Sequence, residues 1–344
     1  MQREHHLLSV NGARIHAVTE GQGPLVLLIH GFPESWYSWR HQLTALAEAG
    51  YRAVAIDQRG YGRSSKFYQT EEYSIHKLVD DAVGVVKALG EEQAVVVGHD
   101  WGAPVAWTAA WLYPETFRAV VGMSVPFAGR GLVSLPGAPF GEIRPNDIHR
   151  DIAGPEADFY QDYFAARSAV ITEIEADVRS WLRDIVVMLS GDTPEAFKPV
   201  LAGQTTLEGI RNGGLCILHG SRLKDNLVPT ETLPAWFNEQ DLDFYTAEFE
   251  RSGLIGPLSF YSNIDSNWFA LAEYEGRPLT QPSLFIGGEF DVATNWGREA
   301  IARAADHLTD FRGSHILEGS GHWIQQEYPE QTNRLLVEFL GGLK

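Results

Sequence analysis

Short runs of consecutive apolar residues alternate along the chain with longer stretches in which apolar residues recur at helical spacing. The apolar runs lie at residues 25–29, 53–56, 94–97, 119–123 and 283–286. The intervening helical patterns cover residues 39–49, 75–89 and 103–112. Strands that are buried on both faces have continuous apolar runs, and strands separated by helices of ten or more residues indicate βαβ units. The pattern therefore predicts an α/β fold with a mainly parallel sheet flanked by helices. Residues 7–10 and 14–18, joined through Asn11-Gly12, predict an antiparallel hairpin at one edge.

The alternation stops near Pro126 and resumes at Ser283, ending with a helical pattern over residues 329–340. The intervening stretch has no comparable buried-strand run and contains a loop rich in Pro and Gly at residues 135–141. It predicts helices around residues 159–167, 171–189, 234–237 and 241–251, and a loop over 196–228. We therefore predict a core domain formed by residues 1–126 and 277–344, with residues 127–276 inserted as a mostly helical cap domain.

Composition and charge exclude several classes of function. The chain has 344 residues, with 27 Lys and Arg against 45 Asp and Glu, and a formal net charge of −18. This acidic excess is unfavourable for binding nucleic acid or an anionic membrane surface. No apolar run approaches the roughly 20 residues of a transmembrane helix, and the first residues lack the apolar segment of a secretion signal. We therefore expect a cytoplasmic protein with no nucleic-acid or membrane partner. The single cysteine, Cys216, rules out an intrachain disulfide and a multi-cysteine metal site.

The most informative motif is Gly98-His99-Asp100-Trp101-Gly102, which stands between an apolar run and a helical pattern. A sharp strand-to-helix turn of this form exposes its central residue above the sheet, and the flanking glycines permit the crowded backbone. Turns of this form that carry Ser perform acyl transfer. Because this turn carries Asp100 instead of Ser, an esterase is not favoured. A carboxylate such as that of Asp100 needs no deprotonation near neutral pH and attacks an electrophilic carbon to form an ester. The alternative reading of Asp100 is an ordinary helix N-cap.

An acid and a histidine follow the motif in the order that is typical of α/β-hydrolases. Asp291 stands just beyond the apolar run at 283–286, and His322 lies in the glycine-rich segment Gly319-Ser320-Gly321-His322-Trp323. We expect His322 to be the general base and Asp291 to orient it. Glu289 is a rival acid, although Asp291 lies further past the strand end.

Backbone N–H groups of Phe32 and Trp101 are the candidates for an oxyanion hole. Phe32 follows the first central strand, and Trp101 follows the nucleophile at a helix N-terminus, where partial positive charge favours an anion. We expect the Phe32–Pro33 peptide to be cis. Asp57, which also follows a strand, is interpreted as a turn residue with Arg59 as its ion-pair partner.

Together these segments resemble the epoxide hydrolases of the α/β-hydrolase fold, and within them most closely the mycobacterial epoxide hydrolase B type. The motifs that carry the resemblance are His30-Gly31-Phe32-Pro33-Glu34, Asp57-Gln58-Arg59-Gly60-Tyr61-Gly62-Arg63-Ser64, Gly98-His99-Asp100-Trp101-Gly102, Gly288-Glu289-Phe290-Asp291 and Gly319-Ser320-Gly321-His322-Trp323, with the segments Tyr160-Gln161-Asp162-Tyr163-Phe164 and Phe260-Tyr261-Ser262-Asn263-Ile264. The resemblance implies an eight-stranded sheet, and implies that Tyr160 and Tyr261 hydrogen-bond the epoxide oxygen. Tyr163 and Tyr245 are local alternatives.

The resemblance also implies a reaction in which Asp100 opens the epoxide, forming an ester that water hydrolyses with help from His322. No metal or organic cofactor is expected. The partners are a small lipophilic epoxide and water, and a homodimer is compatible with the sequence. The residues that could line the substrate pocket are Trp36, Phe127, Phe159 and Trp268.

Single residues distinguish this function from its rivals. A haloalkane dehalogenase would use the same Asp, His and acid, but many carry Asn where this chain has Phe32. A fluoroacetate dehalogenase typically has Arg after the nucleophile, where this chain has Trp101. A non-catalytic ligand-binding protein on the same scaffold is the remaining alternative, because fold alone does not fix function.

Overall fold

The apolar runs form the central strands of a sheet in the computed structural model, which describes residues 2–343. Ten strands are present in this part of the chain. They are β1 (Glu4–Val10), β2 (Ala13–Glu20), β3 (Leu25–Ile29), β4 (Arg52–Ile56), β5 (Ala94–His99), β6 (Phe117–Met123), β7 (Ala157–Phe159), β8 (Cys216–Leu218), β9 (Leu279–Gly288) and β10 (Leu308–Leu317). Eight of them form one sheet in the order β1-β2-β4-β3-β5-β6-β9-β10, and β7 and β8 form a separate antiparallel pair.

The main sheet is parallel from β4 through β10, and only β1 and β2 run antiparallel to their neighbours. The predicted edge hairpin is present, and its turn residues Asn11 and Gly12 have φ values of 47° and 74°. Positive φ at both central positions is the two-residue turn that matches the twist of a hairpin. The predicted mainly parallel, eight-stranded α/β sheet is therefore confirmed.

Helices cover both faces of the sheet because successive side chains of a buried strand point to opposite sides. Leu27 of β3 packs with α2 and α3, whereas Leu28 packs on the opposite face with α1 and α16. The α-helices are α1 (Arg40–Glu48), α2 (Ile75–Ala88), α3 (Gly102–Leu112), α4 (Pro145–Ala153), α5 (Tyr160–Ala165), α6 (Ser168–Glu175), α7 (Val178–Met188), α8 (Lys198–Ala202), α9 (Leu207–Arg211), α10 (Glu239–Ser252), α11 (Ile255–Ser262), α12 (Ile264–Ala270), α13 (Val292–Trp296), α14 (Arg298–Ala302), α15 (Ile324–Glu327) and α16 (Pro329–Gly341). Short 3₁₀ turns lie at Trp36–Trp39, Thr70–Tyr73, Gly129–Gly131, Leu223–Asn226, Ala272–Tyr274 and Ala304–Asp306. None of the helices within residues 2–343 combines the length and the apolar character needed to cross a bilayer.

The stretch between β6 and β9 is mostly helical, although several details differ from the sequence prediction. The single helix predicted over residues 171–189 is two helices, because Asp177 accepts a hydrogen bond from the backbone N–H of Ser180 and caps α7. The segment predicted as a loop, 196–228, contains α8, α9 and β8. The helix predicted at 234–237 is wrong: these residues make one turn, closed by the Phe237 N–H on the Pro234 carbonyl. Four residues are too few to repay helix nucleation.

The expected ion pair between Asp57 and Arg59 is also wrong. Asp57 accepts a hydrogen bond from His16 Nδ1 at 2.7 Å, and both side chains are buried. Arg59 points away from Asp57 and makes a bidentate pair with Asp81 of α2, with N–O distances of 2.6 and 2.7 Å. Sequence proximity suggested the first pairing, but the long guanidinium side chain reaches a carboxylate on the next helix.

We predict that Arg59→Ala lowers the free energy of unfolding by about 3–5 kcal/mol, because Asp81 would keep a buried charge without its partner. The Arg59 side chain is 0% exposed and that of Asp81 is 4% exposed. The matched control is Arg312→Ala, which removes a pair with Asp310 whose side chains are 50% and 39% exposed and should cost about 0–1 kcal/mol. Urea unfolding of both variants measures the difference, and equal losses would contradict the prediction.

Candidate active site

Asp100 stands at the sharp turn between β5 and α3 with a φ of +51°, in the left-handed region that non-glycine residues rarely occupy. The turn is tight enough that a Cβ on Gly98 would lie 1.9 Å from the Gly102 carbonyl oxygen. A Cβ on Gly102 would lie 2.0 Å from the carbonyl oxygen of Ile29. The two glycines therefore permit the close approach of β3, β5 and α3 that directs the Asp100 side chain away from the sheet.

The Asp100 carboxylate receives backbone hydrogen bonds from the two predicted oxyanion-hole residues. The Phe32 N–H donates to Oδ1 at 2.7 Å, and the Trp101 N–H also hydrogen-bonds the carboxylate. Burial raises the pKa of Asp100, whereas His322, His99 and these N–H groups act in the opposite direction. The expected cis peptide between Phe32 and Pro33 is present. Both predicted oxyanion-hole residues therefore stabilise the ionised form of the Asp100 carboxylate.

The histidine and the acid that the sequence predicted lie together beside Asp100. His322 Nε2 is 3.6 Å from Asp100 Oδ2, and His322 Nδ1 is 2.9 Å from Asp291 Oδ1. Asp291, at the end of β9, also accepts hydrogen bonds from the Thr294 hydroxyl and from N–H groups at the start of α13. These donors fix the carboxylate, so that it orients the imidazole with Nε2 toward Asp100. The rival acid, Glu289, instead accepts the Gly319 N–H at 2.8 Å.

Electrostatic contacts determine the protonation of His322. Burial alone would lower the pKa of the imidazole, but the carboxylates of Asp291 and Asp100 outweigh it, with help from Glu34, and raise the pKa to about 9. The Asp100 contribution depends on its negative charge. Conversion of Asp100 to a neutral ester would therefore lower the pKa of His322.

A buried pair formed by Glu34 and His99 lies beneath the site and had no assigned role in the sequence analysis. His99 Nδ1 is 2.8 Å from Glu34 Oε2, and His99 Nε2 is 2.7 Å from the backbone oxygen of His322. Although burial favours the neutral acid, His99 together with the Gly31 N–H holds the pKa of Glu34 at about 2. Both nitrogens of His99 face oxygen atoms, one on Glu34 and one on the backbone of His322, so the pair supports the backbone of His322. Glu34 belongs to the motif at residues 30–34 and His99 to the motif at residues 98–102, and nothing local in the sequence shows that the two side chains meet.

Glu327 is a second group that sequence reasoning missed. Its carboxylate accepts backbone N–H hydrogen bonds from Gly191, Gly321 and Trp323 at 2.8, 2.9 and 2.9 Å. Burial raises its pKa to about 7 against these three donors. Gly321 and Trp323 flank His322, and Gly191 follows α7, so Glu327 joins the loop of the base to the inserted segment. A glutamate five residues after the base is the only local signal for this anchor.

Asp100 and His322 face a cavity that contains about 540 Å³ of atom-free space, part of it open to solvent. Both tyrosines implied by the resemblance, Tyr160 and Tyr261, line the same cavity, with their ring centroids 6.0 Å apart. Burial raises the pKa of both phenols, so both are protonated at neutral pH. The remaining lining is apolar and consists of Phe32, Pro33, Phe164, Trp181, Ile185, Leu189, Leu215, Leu223, Val292, Ala293 and Trp296.

The two alternative tyrosines are engaged elsewhere. Tyr163 donates its hydroxyl proton to Glu173 at 2.5 Å. Tyr245 hydrogen-bonds Ser38 and Gln326, at 2.6 and 3.2 Å. Neither residue lines the cavity.

The predicted set of pocket-lining aromatic residues is wrong, because none of the four is part of the cavity wall. Trp36 packs against Phe244, and Phe127 packs between Trp107 and Trp111. Phe159 lies behind Tyr160, and the Trp268 indole donates to the Gly141 carbonyl. The aromatic composition was informative about burial but not about which face of each element borders the cavity. Besides the two tyrosines, the aromatic residues that line the cavity are Phe32, Phe164, Trp181 and Trp296.

Residues 2–343 contain no cluster of three or more His, Cys, Asp or Glu side chains arranged to hold a metal ion. The polar groups that face the cavity are the carboxylate of Asp100, the imidazole of His322 and the two phenols. This set offers a nucleophile, a base and proton donors to an apolar molecule.

Comparisons with known proteins agree with this geometry. A family model described as the alpha/beta hydrolase fold matches residues 24–165. Epoxide hydrolase B of Mycobacterium tuberculosis is 58% identical over 100% of both chains. Among solved structures, an epoxide hydrolase from an endophytic Streptomyces is 48% identical with a TM-score of 0.90, and the match covers 99% of this chain and 96% of that one. Epoxide Hydrolase A from Mycobacterium thermoresistibile is 36% identical with a TM-score of 0.87, covering 100% and 99% of the two chains.

The predicted resemblance is therefore confirmed along the whole length of the chain. An identity of 58% over the full length and two structural matches of nearly complete coverage show that the similarity includes both the sheet and the inserted segment. The chain belongs to the epoxide hydrolase family of the α/β-hydrolase fold.

Proposed function

We propose that this chain hydrolyses lipophilic epoxides to vicinal diols through a covalent ester on Asp100. Residues 127–276 act as a cap domain over the core formed by residues 1–126 and 277–344. The observation that carries the proposal is the cavity in which a carboxylate, an Asp-oriented imidazole and two phenols face one apolar space. The names of the relatives support the same reaction. The chemistry requires only the epoxide and water as reactants.

Ring opening is the first half-reaction. A carboxylate oxygen of Asp100 attacks a ring carbon, the C–O bond of the ring breaks, and the ring oxygen takes a proton from a phenol. An alkoxide is a poor leaving group, so a protonated donor at the ring oxygen lowers the barrier. Tyr160 and Tyr261 suit this role because burial raises the pKa of both phenols. The product is a hydroxyalkyl ester with a phenolate beside it.

Hydrolysis of the ester is the second half-reaction. His322, oriented by Asp291, takes a proton from water, and the hydroxide attacks the ester carbonyl carbon of Asp100. The Phe32 and Trp101 N–H groups stabilise the oxyanion, which is worth roughly 3 kcal/mol per donor in comparable sites. The tetrahedral intermediate collapses, its C–O bond to the alkoxy group breaks, and the departing alkoxide takes the proton from His322 to become the diol. The proton of the Asp100 carboxylic acid that remains goes to the phenolate, which regenerates both the carboxylate and the phenol. The cycle thus consumes one water and restores every group.

The tyrosine pair favours an epoxide over a halide as the leaving group. A halide leaves as a stable anion and needs no proton, so dehalogenation does not require two buried phenols as proton donors beside the proposed nucleophile, whereas the opening of an epoxide does. The curated relatives that match the whole chain carry epoxide hydrolase names. The dehalogenase alternative is therefore not favoured.

Isotope labelling tests the ester directly. In a single turnover in ¹⁸O-water with enzyme in excess, we expect the label in the Asp100 carboxylate and an unlabelled diol, because the diol takes its new oxygen from the enzyme. Mass spectrometry of the peptide that contains Asp100 and of the diol measures both. Label in the diol on the first turnover would mean that water attacks the ring directly, and the proposal would fail.

The pH dependence of the two half-reactions provides an independent check. His322 must be neutral to accept a proton, and its pKa of about 9 in the resting state falls once Asp100 is esterified. We therefore expect ester hydrolysis to slow as pH falls below this lowered pKa, by about tenfold per pH unit, so that ester accumulates in mildly acidic solution. Ring opening instead requires ionised Asp100 and fails at lower pH still.

Rapid quenching followed by intact-protein mass spectrometry measures the ester fraction at each pH. His322→Gln is the matched control, since a chain without the base should trap the ester at all pH values with hydrolysis slowed by about 10²–10⁴-fold. An ester fraction that rises with pH in the unmodified chain would contradict the assignment of His322.

A further inference from the structure

Gln161 makes a hydrogen bond to the phenol of Tyr160 that neither the fold nor the triad requires. Its side-chain Nε2 lies 3.0 Å from Tyr160 Oη, and the residue is 2% exposed. Both residues belong to α5, which begins at Tyr160. The amide is thus a buried polar group whose hydrogen bond ends on one of the two proposed proton donors.

The direction of this hydrogen bond controls where the phenol proton points. A phenol has one O–H donor and accepts through its oxygen. When the Gln161 amide N–H occupies an acceptor position of Tyr160 Oη, the hydroxyl proton is left free to point elsewhere. Tyr160 lines the cavity that Asp100 also faces, so the proton is available to a ring oxygen bound there.

The same contact stabilises the phenol oxygen during the reaction. As Tyr160 gives up its proton, negative charge develops on Oη in a buried site. A fixed amide donor becomes a charge-assisted hydrogen bond at that moment and is stronger than with the neutral phenol. The contact with Gln161 lowers the pKa of Tyr160, against the larger effect of burial.

We propose that Gln161 is a positioning residue for ring opening: its amide directs the Tyr160 hydroxyl toward the epoxide oxygen and stabilises the phenolate that forms. This inference rests on the proposed function and assigns a role within its first half-reaction only. Tyr261 serves as the internal comparison. Its ring packs among Phe164, Phe32 and the Trp101 ring, and the Gln161 amide hydrogen-bonds Tyr160 rather than Tyr261.

The opposite orientation of the amide has the opposite consequence. If the carbonyl oxygen of Gln161 faced Tyr160 Oη, it would accept the phenol proton and hold it away from the substrate. Removing the amide would then accelerate ring opening. The sign of the effect therefore distinguishes the two arrangements.

The test is a double-mutant cycle on the rate of ester formation in single turnovers. Gln161→Met, which keeps length and helix compatibility but removes the donor, is introduced into the unmodified chain, into Tyr160→Phe and into Tyr261→Phe. In the unmodified chain and in Tyr261→Phe we expect a loss of roughly ten- to a hundredfold, the effect of a hydrogen bond to a charged group. In Tyr160→Phe we expect no further loss, since Gln161 has no hydroxyl to act on. Within each of the three backgrounds, Gln161→Met itself should leave the rate of ester hydrolysis unchanged relative to the same background with Gln161.

The contrary outcomes are distinct. If Gln161→Met slows ester formation equally in the Tyr160→Phe background, Gln161 has a merely structural role. If Gln161→Met alone makes ester formation faster, the amide has the reversed orientation. Either result overturns the inference while ester formation itself stands. A failure of the unmodified chain to form any ester would overturn the proposed function and the inference with it. If Gln161→Met does not fold, as judged by thermal unfolding, Gln161→Leu replaces it. That variant also lacks the amide donor and introduces neither a charge nor a new hydrogen-bonding group, so the same cycle is expected to give the same pattern.

Discussion

The strained backbone of Asp100 is the constraint on which the site depends. A residue with φ of +51° costs on the order of 1–2 kcal/mol relative to ordinary helical backbone, and the structure holds it there by bringing β3, β5 and α3 within contact distances that only Gly98 and Gly102 permit. The sheet therefore does more than scaffold the nucleophile. It forces the carboxylate out of the strand and into reach of the Phe32 N–H, so one packing arrangement positions both the proposed nucleophile and the proposed oxyanion-hole donor.

The charges around this turn form a chain in which each ionised group has a partner. Asp291 holds one nitrogen of His322 while the other faces Asp100, and the Glu34–His99 pair supports the backbone oxygen of the same histidine from below. Buried charges are costly unless they are paired and hydrogen-bonded. The arrangement leaves the Asp100 carboxylate as the one anion in this set that faces an apolar cavity, which is the state a nucleophile needs.

The sheet and most of the candidate site could be predicted from the sequence, because these features have a local sequence pattern. The strands appeared as apolar runs, and the turn, acid and histidine appeared as glycine-flanked residues after strands. Tyr160 and Tyr261 could be chosen only through the resemblance, because no local pattern separates them from other half-buried tyrosines. The Arg59–Asp81 pair and the Glu327 anchor join segments that are distant in the sequence or have no periodic pattern. Which aromatic side chains face the cavity depends on tertiary packing. Those features become visible only when the chain is folded.

The Glu327 anchor restricts how the inserted segment can be exchanged for that of a related protein. Its carboxylate accepts hydrogen bonds from Gly191 and from the residues on either side of His322, the proposed base. The His322 N–H donates to the Leu189 carbonyl, and the Trp323 indole N–H donates to the Val186 carbonyl. The end of α7 is therefore a structural member of the base loop, although it lies far away in sequence. A chimaera that exchanges the inserted segment for that of a relative must reproduce the backbone of residues 186–191, or it will misplace an imidazole that it never altered.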